Sequence, residues 1–331
     1  MDMTLPLSAL ALLLILYAWA SRPKLNPEVD CDPPEPGTPQ KLKQRLEESE
    51  RLTPNLVEGA GASVHFANPD DPQVTKLVFL YVHGFSATWR ETAPVTDQLA
   101  GRFDANSLHC RIAGHGTGTQ GMKASAEDWL ASLKKQAEIA SLLGEKMIVV
   151  GVSTGAPLSV WLSKQTSIKD KIAGLLFMSP NFKIRPGLGF LLTSPLPSLI
   201  LRAIFSKRYR SWEPMNEEQA KYWTTRQPLS AVIEMQKVVD WANLQDLSDF
   251  KMPLATIYMP NDPTINSEAA IKAHNEWGAT HKMLKPVEPD GEAIEHVFCG
   301  DICGPNRTQW TVDVFARFLE DMPDEATEAR P

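Results

Sequence analysis

The run Met147-Ile148-Val149-Val150 leads directly into Gly151-Val152-Ser153-Thr154-Gly155, and a helix-like segment follows at once. A buried strand, a Gly-x-Ser-x-Gly turn and a helix in succession leave few folds open. The two glycines allow a sharp turn with close neighbours, and the serine between them is pushed out above the edge of a sheet. The same rhythm extends along the chain from Val64 to Phe318. Apolar strand-like runs fall at residues 77–82, 108–112, 147–150, 173–178 and 254–259, with another near 282–287. Runs apolar at every position suit strands covered on both faces, so the expected fold is α/β, with a mostly parallel central sheet flanked by helices. Between the strands, Ser125 and Asp128 form a helix-capping pattern. Trp129, Leu130, Leu133, Ala137 and Ala140 give that helix one apolar side, and Gly144 marks its end. Trp310, Val314, Phe315 and Phe318 repeat the helical spacing near the carboxyl end.

Composition bounds the partners. The 331 residues are 43% hydrophobic, enough for one large core, and the net charge of −7 leaves no basic stripe to meet nucleic acid. Cys31, Cys110, Cys299 and Cys303 are too few for a disulfide framework and lack zinc spacing. Cys299 and Cys303 stand close enough to pair, with buried free thiols as the plainer reading.

Four regions are expected. Residues 1–24 hold an uncharged apolar run, 5–20, readable as an uncleaved membrane anchor or as a cleaved signal segment. The absence of a basic residue before the run, Arg22 and Lys24 after it, and Tyr17 and Trp19 near its end point to an anchor with the α/β body on the cytoplasmic side. Ala18-Trp19-Ala20 keeps cleavage before Ser21, and so export, open. Residues 25–60 read as a proline-rich linker and a short charged helix. Residues 61–322 read as the α/β domain, and 323–331 as an acidic tail. Within the α/β domain, residues 181–249 interrupt the alternation and are read as a helical cap over the strand ends. Its apolar run, 188–205, followed by Lys207, Arg208 and Arg210, is either core-covering or faces an acyl chain or lipid.

A serine hydroxyl needs a base, an acid to orient the base, and donors for the developing oxyanion. In a strand-turn-helix arrangement of this kind the order along the chain is serine, acid, histidine. Ser153, Asp262 and His296 supply that order, and Asp262 and His296 fall in loops at the strand edge from which Ser153 emerges. Asp290, in Pro289-Asp290-Gly291, is the alternative acid, although that tripeptide reads as a turn. Taken singly, Asp262 is a turn former beside Pro263 and His296 a loop histidine; the ordered set carries the reading. The N–H groups of Thr154 and of Phe85, in the loop after 77–82, are the expected oxyanion hole. His83 is expected to brace that loop from beneath, and His115 to shape the pocket wall.

These residues resemble the α/β-hydrolase superfamily, in the branch of monoacylglycerol lipases, carboxylesterases and S33-like serine aminopeptidases. The likeness rests on His83-Gly84-Phe85, Gly114-His115-Gly116, Asp128-Trp129, the Gly151–Gly155 pentapeptide, Asp262 and His296-Val297, and runs from about Lys76 to Leu319. Val152, Thr154 and Ala156 replace the His, Met and Gly common around the serine in that branch. The resemblance implies a sheet of about eight strands, a cap after the sixth, and hydrolysis of acyl esters such as monoacylglycerols or lysophospholipids, with no cofactor or metal. A peptidase or amidase, and a hydrolase-fold protein that only binds lipid, are the other readings.

Overall fold

The strands, in chain order, are β1 (Ser63–His65), β2 (Thr75–Val82), β3 (Asn106–His109), β4 (Gly144–Val152), β5 (Ile172–Met178), β6 (Tyr209–Ser211), β7 (Arg226–Pro228), β8 (Leu254–Tyr258) and β9 (Lys282–Pro286). They belong to a computed structural model that describes residues 12, 16–185, 189–195, 197, 208–289, 291 and 295–323. Seven form one sheet in the order β1-β3-β2-β4-β5-β8-β9, parallel throughout except for β1 against β3. β6 and β7 pair separately as an antiparallel ribbon. This is the expected mostly parallel α/β fold, with seven strands in the main sheet among the described residues rather than about eight.

Period-two geometry divides the apolar strands between two cores. Val78, Leu80, Met147, Val149, Leu175 and Phe177 enter one, while Phe79, Tyr81, Ile148, Val150, Leu176 and Met178 enter the other. Helices Ala126–Ala140, Gly155–Leu162 and Leu229–Asn243 cover the first face, and Val95–Arg102 and Pro305–Glu320 the second. The capping pattern at Ser125 forms in full. The Ser125 hydroxyl accepts the Asp128 N–H while the Asp128 carboxylate accepts the Ser125 N–H, a device worth about 1 kcal/mol. Gly144 does not end that helix, which stops at Ala140; it opens β4. In the carboxyl-terminal helix Phe315 and Phe318 are buried as the spacing predicts, whereas Trp310 and Val314 are only partly so.

The proline-rich segment is irregular yet docked on the first face. The Trp161 indole N–H donates to Pro27 O at 2.9 Å, the Asn26 N–H donates to the Glu127 carboxylate at 2.9 Å, and Leu25 is buried. The helix after it, Pro39–Arg51, buries Leu42 and Leu46.

The membrane anchor requires correction. No helix among the described residues is long and apolar enough to cross a membrane, which contradicts the expected anchored localisation. The run 5–20 lies mostly outside the described residues, and sixteen residues of helix span about 24 Å against the roughly 30 Å of a hydrocarbon core. At its described end Trp19, with Arg22 just beyond the run, lines a cavity of about 430 Å³ together with Phe182, Phe190 and Asp240. Most of the apolar run 188–205, Lys207, Asp290 and the tail from 324 likewise lie outside the described residues.

Candidate active site

β4 ends at Val152, and Ser153 takes a φ of +51°, a left-handed conformation that costs a non-glycine residue energy and is kept only where its surroundings enforce it. The surroundings do so here. Ser153 N–H donates to Met178 O, while Ser153 O accepts the N–H groups of Ala156 and Asn181 at 3.1 and 3.0 Å. A Cβ on Gly155 would stand 2.0 Å from Val82 O, so only glycine lets the following helix pass this close to β2.

The loops at the carboxyl ends of β8 and β9 converge on this turn. Asp262 is fully buried. One of its oxygens accepts the N–H groups of Thr264 and Ile265 at 2.8 and 3.0 Å, and the other accepts His296 Nδ1–H at 2.8 Å. His296 Nε2 lies 2.8 Å from Ser153 Oγ. With Nδ1 donating to the carboxylate, Nε2 presents its lone pair to the serine hydroxyl, the orientation a general base needs. Burial pushes the Asp262 carboxyl up. The hydrogen bond and charge of His296, with the Ile265 and Thr264 N–H groups, outweigh burial and hold the carboxyl below its usual range. The turn-forming role of Asp262 and its contact with His296 are thus compatible, because separate oxygens perform them. Asp290, the alternative acid, lies outside the described residues.

The loop after β2 runs beside the elbow. A Cβ on Gly84 would lie 3.1 Å from Ser153 Cβ. Among the described residues neither the Phe85 nor the Thr154 N–H is committed to a loop or turn hydrogen bond, which leaves both available to a ligand oxygen. His83 braces the loop as expected. Its Nε2 accepts Ile112 N–H at 3.0 Å, so Nδ1 carries the proton and donates to Gly84 O at 2.9 Å. Burial lowers the His83 pKa to about 4, which keeps this tautomer neutral at ordinary pH. His115 packs edge-on against Phe85 and Trp129 as part of the wall, its pKa lowered first by burial and then by His83.

Two neighbours escaped the sequence reading. Asn181 follows the end of β5 and donates its side-chain amide to Thr154 Oγ1 at 3.3 Å; the strand-end rule that singled out Asp262 would have found it. Glu91 contacts Gly84 from behind the loop, and nothing in Trp89-Arg90-Glu91-Thr92 separates it from a solvated charge.

One group of metal-ligand residue types occurs among the described residues: His65, Asp97 and His109, with ligand atoms within 4.8 Å of one another. They already bond to each other, since Asp97 Oδ1 lies 2.8 Å from both His65 Nδ1 and His109 Nε2. A metal on His109 Nε2 would move the ring proton to Nδ1, which is buried with no acceptor. Ligating imidazoles ordinarily donate that second N–H, so the cluster suits hydrogen bonding better than an ion. The four thiols are free, with Cys110 and Cys299 buried.

Known structures share this architecture. A metagenome-derived lipolytic enzyme of the LipS and LipT pair superposes with a TM-score of 0.65 at 18% identity, covering 81% of this chain and all of its own. The monoacylglycerol lipase of Paleococcus ferrophilus gives 0.57 at 15% identity, over 78% of this chain and 97% of that one. A soluble variant of monoglyceride lipase from Saccharomyces cerevisiae, in complex with a substrate analogue, gives 0.58 at 14% identity, over 92% and 99%. The fold is that of the α/β-hydrolases. No protein-family model matches the sequence, and no curated protein matches it. In this α/β-hydrolase fold the interruption between β5 and β8 stands where the cap was expected. It holds the ribbon β6–β7 and the helices Gly189–Leu192, Glu217–Tyr222 and Leu229–Asn243.

Proposed function

We propose that this chain is a serine hydrolase that cleaves carboxylic esters with a lipid-like acyl group, of the monoacylglycerol or lysophospholipid type. The supporting observation is the continuous path from Ser153 Oγ to His296 Nε2 and from His296 Nδ1 to Asp262 Oδ2, 2.8 Å at each step, at the apex of a turn with φ +51°. Ser153 Oγ attacks the ester carbonyl as His296 Nε2 takes its proton. The oxyanion is held by the N–H groups of Phe85 and Thr154, the latter at the positive end of helix Gly155–Leu162. Collapse expels the alcohol, protonated by His296, and leaves an acyl group on Ser153. Water, deprotonated by His296, then releases the carboxylic acid. Asp262 stays ionised throughout and stabilises the imidazolium, in keeping with its lowered pKa.

The lipid-like acyl group is supported by the lipase names of the similar structures and by the apolar composition of 188–205. Residues 181–249, apart from the helix Leu229–Asn243 that packs on the first face of the sheet, act as the cap that receives it. A fluorophosphonate probe tests the nucleophile: it should label the purified protein and fail to label S153A, and equal labelling of both would remove Ser153 from the mechanism. A series of p-nitrophenyl esters from two to sixteen carbons tests the substrate. Each methylene buried in an apolar pocket is worth about 0.8 kcal/mol, so kcat/KM should climb with length, and a flat profile would remove the acyl assignment.

A further inference from the structure

Glu91 closes a short 3-10 turn behind the loop after β2 and is 1% exposed. A carboxyl that dry is costly to bury unless its oxygens are used. Oε1 accepts Gly84 N–H at 2.6 Å and the Tyr81 hydroxyl at 3.0 Å, and the Tyr81 oxygen in turn accepts the Thr92 hydroxyl at 2.8 Å. Oε2 lies 3.1 Å from where a Cβ on Gly84 would stand, so the carboxyl rests against the loop itself. On the opposite side, Gly84 O accepts His83 Nδ1–H. Gly84 is therefore held at both its N–H and its C=O.

That double hold has a stereochemical consequence. The C=O of Gly84 and the N–H of Phe85 belong to one planar peptide unit and point in opposite directions across a trans bond. Fixing Gly84 at both ends therefore aims Phe85 N–H. A glycine without these contacts samples far more backbone conformations than any other residue, and a donor that must be reoriented during reaction stabilises the oxyanion less than one already in place. An apolar side chain would fill the space behind the loop with no desolvation cost, and burial pushes the Glu91 carboxyl up to about 8. A group so unfavourable to bury, spent on Gly84 N–H, marks a demand for an acceptor at this point.

We propose that Glu91 is a positioning residue for the oxyanion hole: by accepting Gly84 N–H it fixes the His83–Gly84 peptide, and so the backbone from which the Gly84–Phe85 peptide, held through Gly84 O by His83, presents Phe85 N–H to the reacting carbonyl oxygen. The inference rests on the serine-hydrolase reading above, and the test separates the two. Steady-state hydrolysis of p-nitrophenyl butyrate is compared in wild type, E91M, E91Q and S153A, with the inhibition constant of an alkyl trifluoromethyl ketone, which forms a tetrahedral adduct, and that of butyrate, which does not. E91M keeps the length of the side chain and loses the acceptor. It should lower kcat by about ten- to a hundredfold with KM and butyrate binding within about twofold, and weaken the ketone by a similar factor to kcat. E91Q retains an acceptor and should recover turnover to within about threefold of wild type. Unchanged kcat and ketone affinity in E91M, or an E91Q as impaired as E91M, would overturn the positioning role. Should E91M melt below the assay temperature, E91D replaces it, because the shortened side chain withdraws its acceptor from Gly84. Ketone affinity weakened in E91D and kept in E91Q supports the proposal, and equal affinity in both overturns it. Turnover surviving in S153A would instead sink the hydrolase reading, whereas an inactive S153A beside a fully active E91M sinks only the role of Glu91.

Discussion

Two groups among the described residues contain a serine, a histidine and an aspartate within hydrogen-bonding reach, and their connections differ. At the elbow the order is linear: Asp262 takes one nitrogen of His296, and the other nitrogen faces Ser153. At the far edge of the sheet Asp97 Oδ1 is a hub, contacted by His65 at 2.8 Å, His109 at 2.8 Å and the Ser107 hydroxyl at 3.1 Å. There the serine gives its proton to a carboxylate and the histidine nitrogen beside it points at the same oxygen, so no imidazole lone pair faces the hydroxyl. Ser107 also lies inside a regular strand, paired with Phe79 and His65, whereas Ser153 is thrust out of its strand by a positive φ. The residue inventory is shared, and the wiring and the backbone beneath the serine differ; under the proposed function only the first group is arranged to supply a nucleophile.

Ester turnover should divide the two groups most sharply. S153A is expected to lose about a thousandfold or more in kcat, as the loss of a triad nucleophile does, and S107A to stay within about twofold. Comparable losses in both would erase the distinction. The acids come next. D262N should lose turnover by about a thousandfold, because an amide can leave His296 in the wrong tautomer, with D290N near wild type; the reverse order would transfer the acid role to Asp290.

D97N should instead register in stability. Burial raises the Asp97 carboxyl, and the hydrogen bonds and charges of His109 and His65 outweigh it, leaving the group depressed in the folded state. Its contribution is therefore present above the unfolded carboxylate value and lost as pH falls through the lower folded one. Urea unfolding at pH 6 should show D97N destabilised by about 1–2 kcal/mol, a deficit that shrinks below pH 4 or so. A pH-independent deficit would mean that packing, rather than the ionised carboxylate, is at work. A further pH dependence concerns Glu91, whose pKa is raised to about 8 in the fold from an ordinary 4.5. The folded state holds a proton there that the unfolded chain releases, so its stability contribution is full below about 4.5 and lost as pH rises through about 8. Melting temperatures of wild type relative to E91Q should fall across that window, and a constant difference would show that Glu91 is ionised throughout.

Most of the architecture was legible locally. Continuous apolar runs, the strand-turn-helix at Ser153 and the capping pair Ser125 and Asp128 are short-range signals whose physics acts within a few residues, and they marked the sheet, the elbow and the helix after β3. The order Ser153, Asp262, His296 was legible too, because parallel strands deliver their loops to one edge. The three-residue β1 was not, since Ser63-Val64-His65 acquires strand character only from its antiparallel partner β3. The apolar run 5–20 was read as an anchor from its hydropathy and its flanking residues, yet no helix among the described residues is long and apolar enough to cross a membrane.

What the sequence determined by itself was the inventory and the topology, since hydrophobic period, turn chemistry and residue order are properties of the chain. Only the tertiary structure decided connectivity at the level of single atoms. It decided which oxygen of Asp262 faces His296, which nitrogen of His83 carries the proton, and that Glu91 grips Gly84. Each depends on groups between three and 34 residues apart meeting within about 3 Å. A hydrogen bond changes character over tenths of an ångström, and only the packed sheet fixes positions that finely.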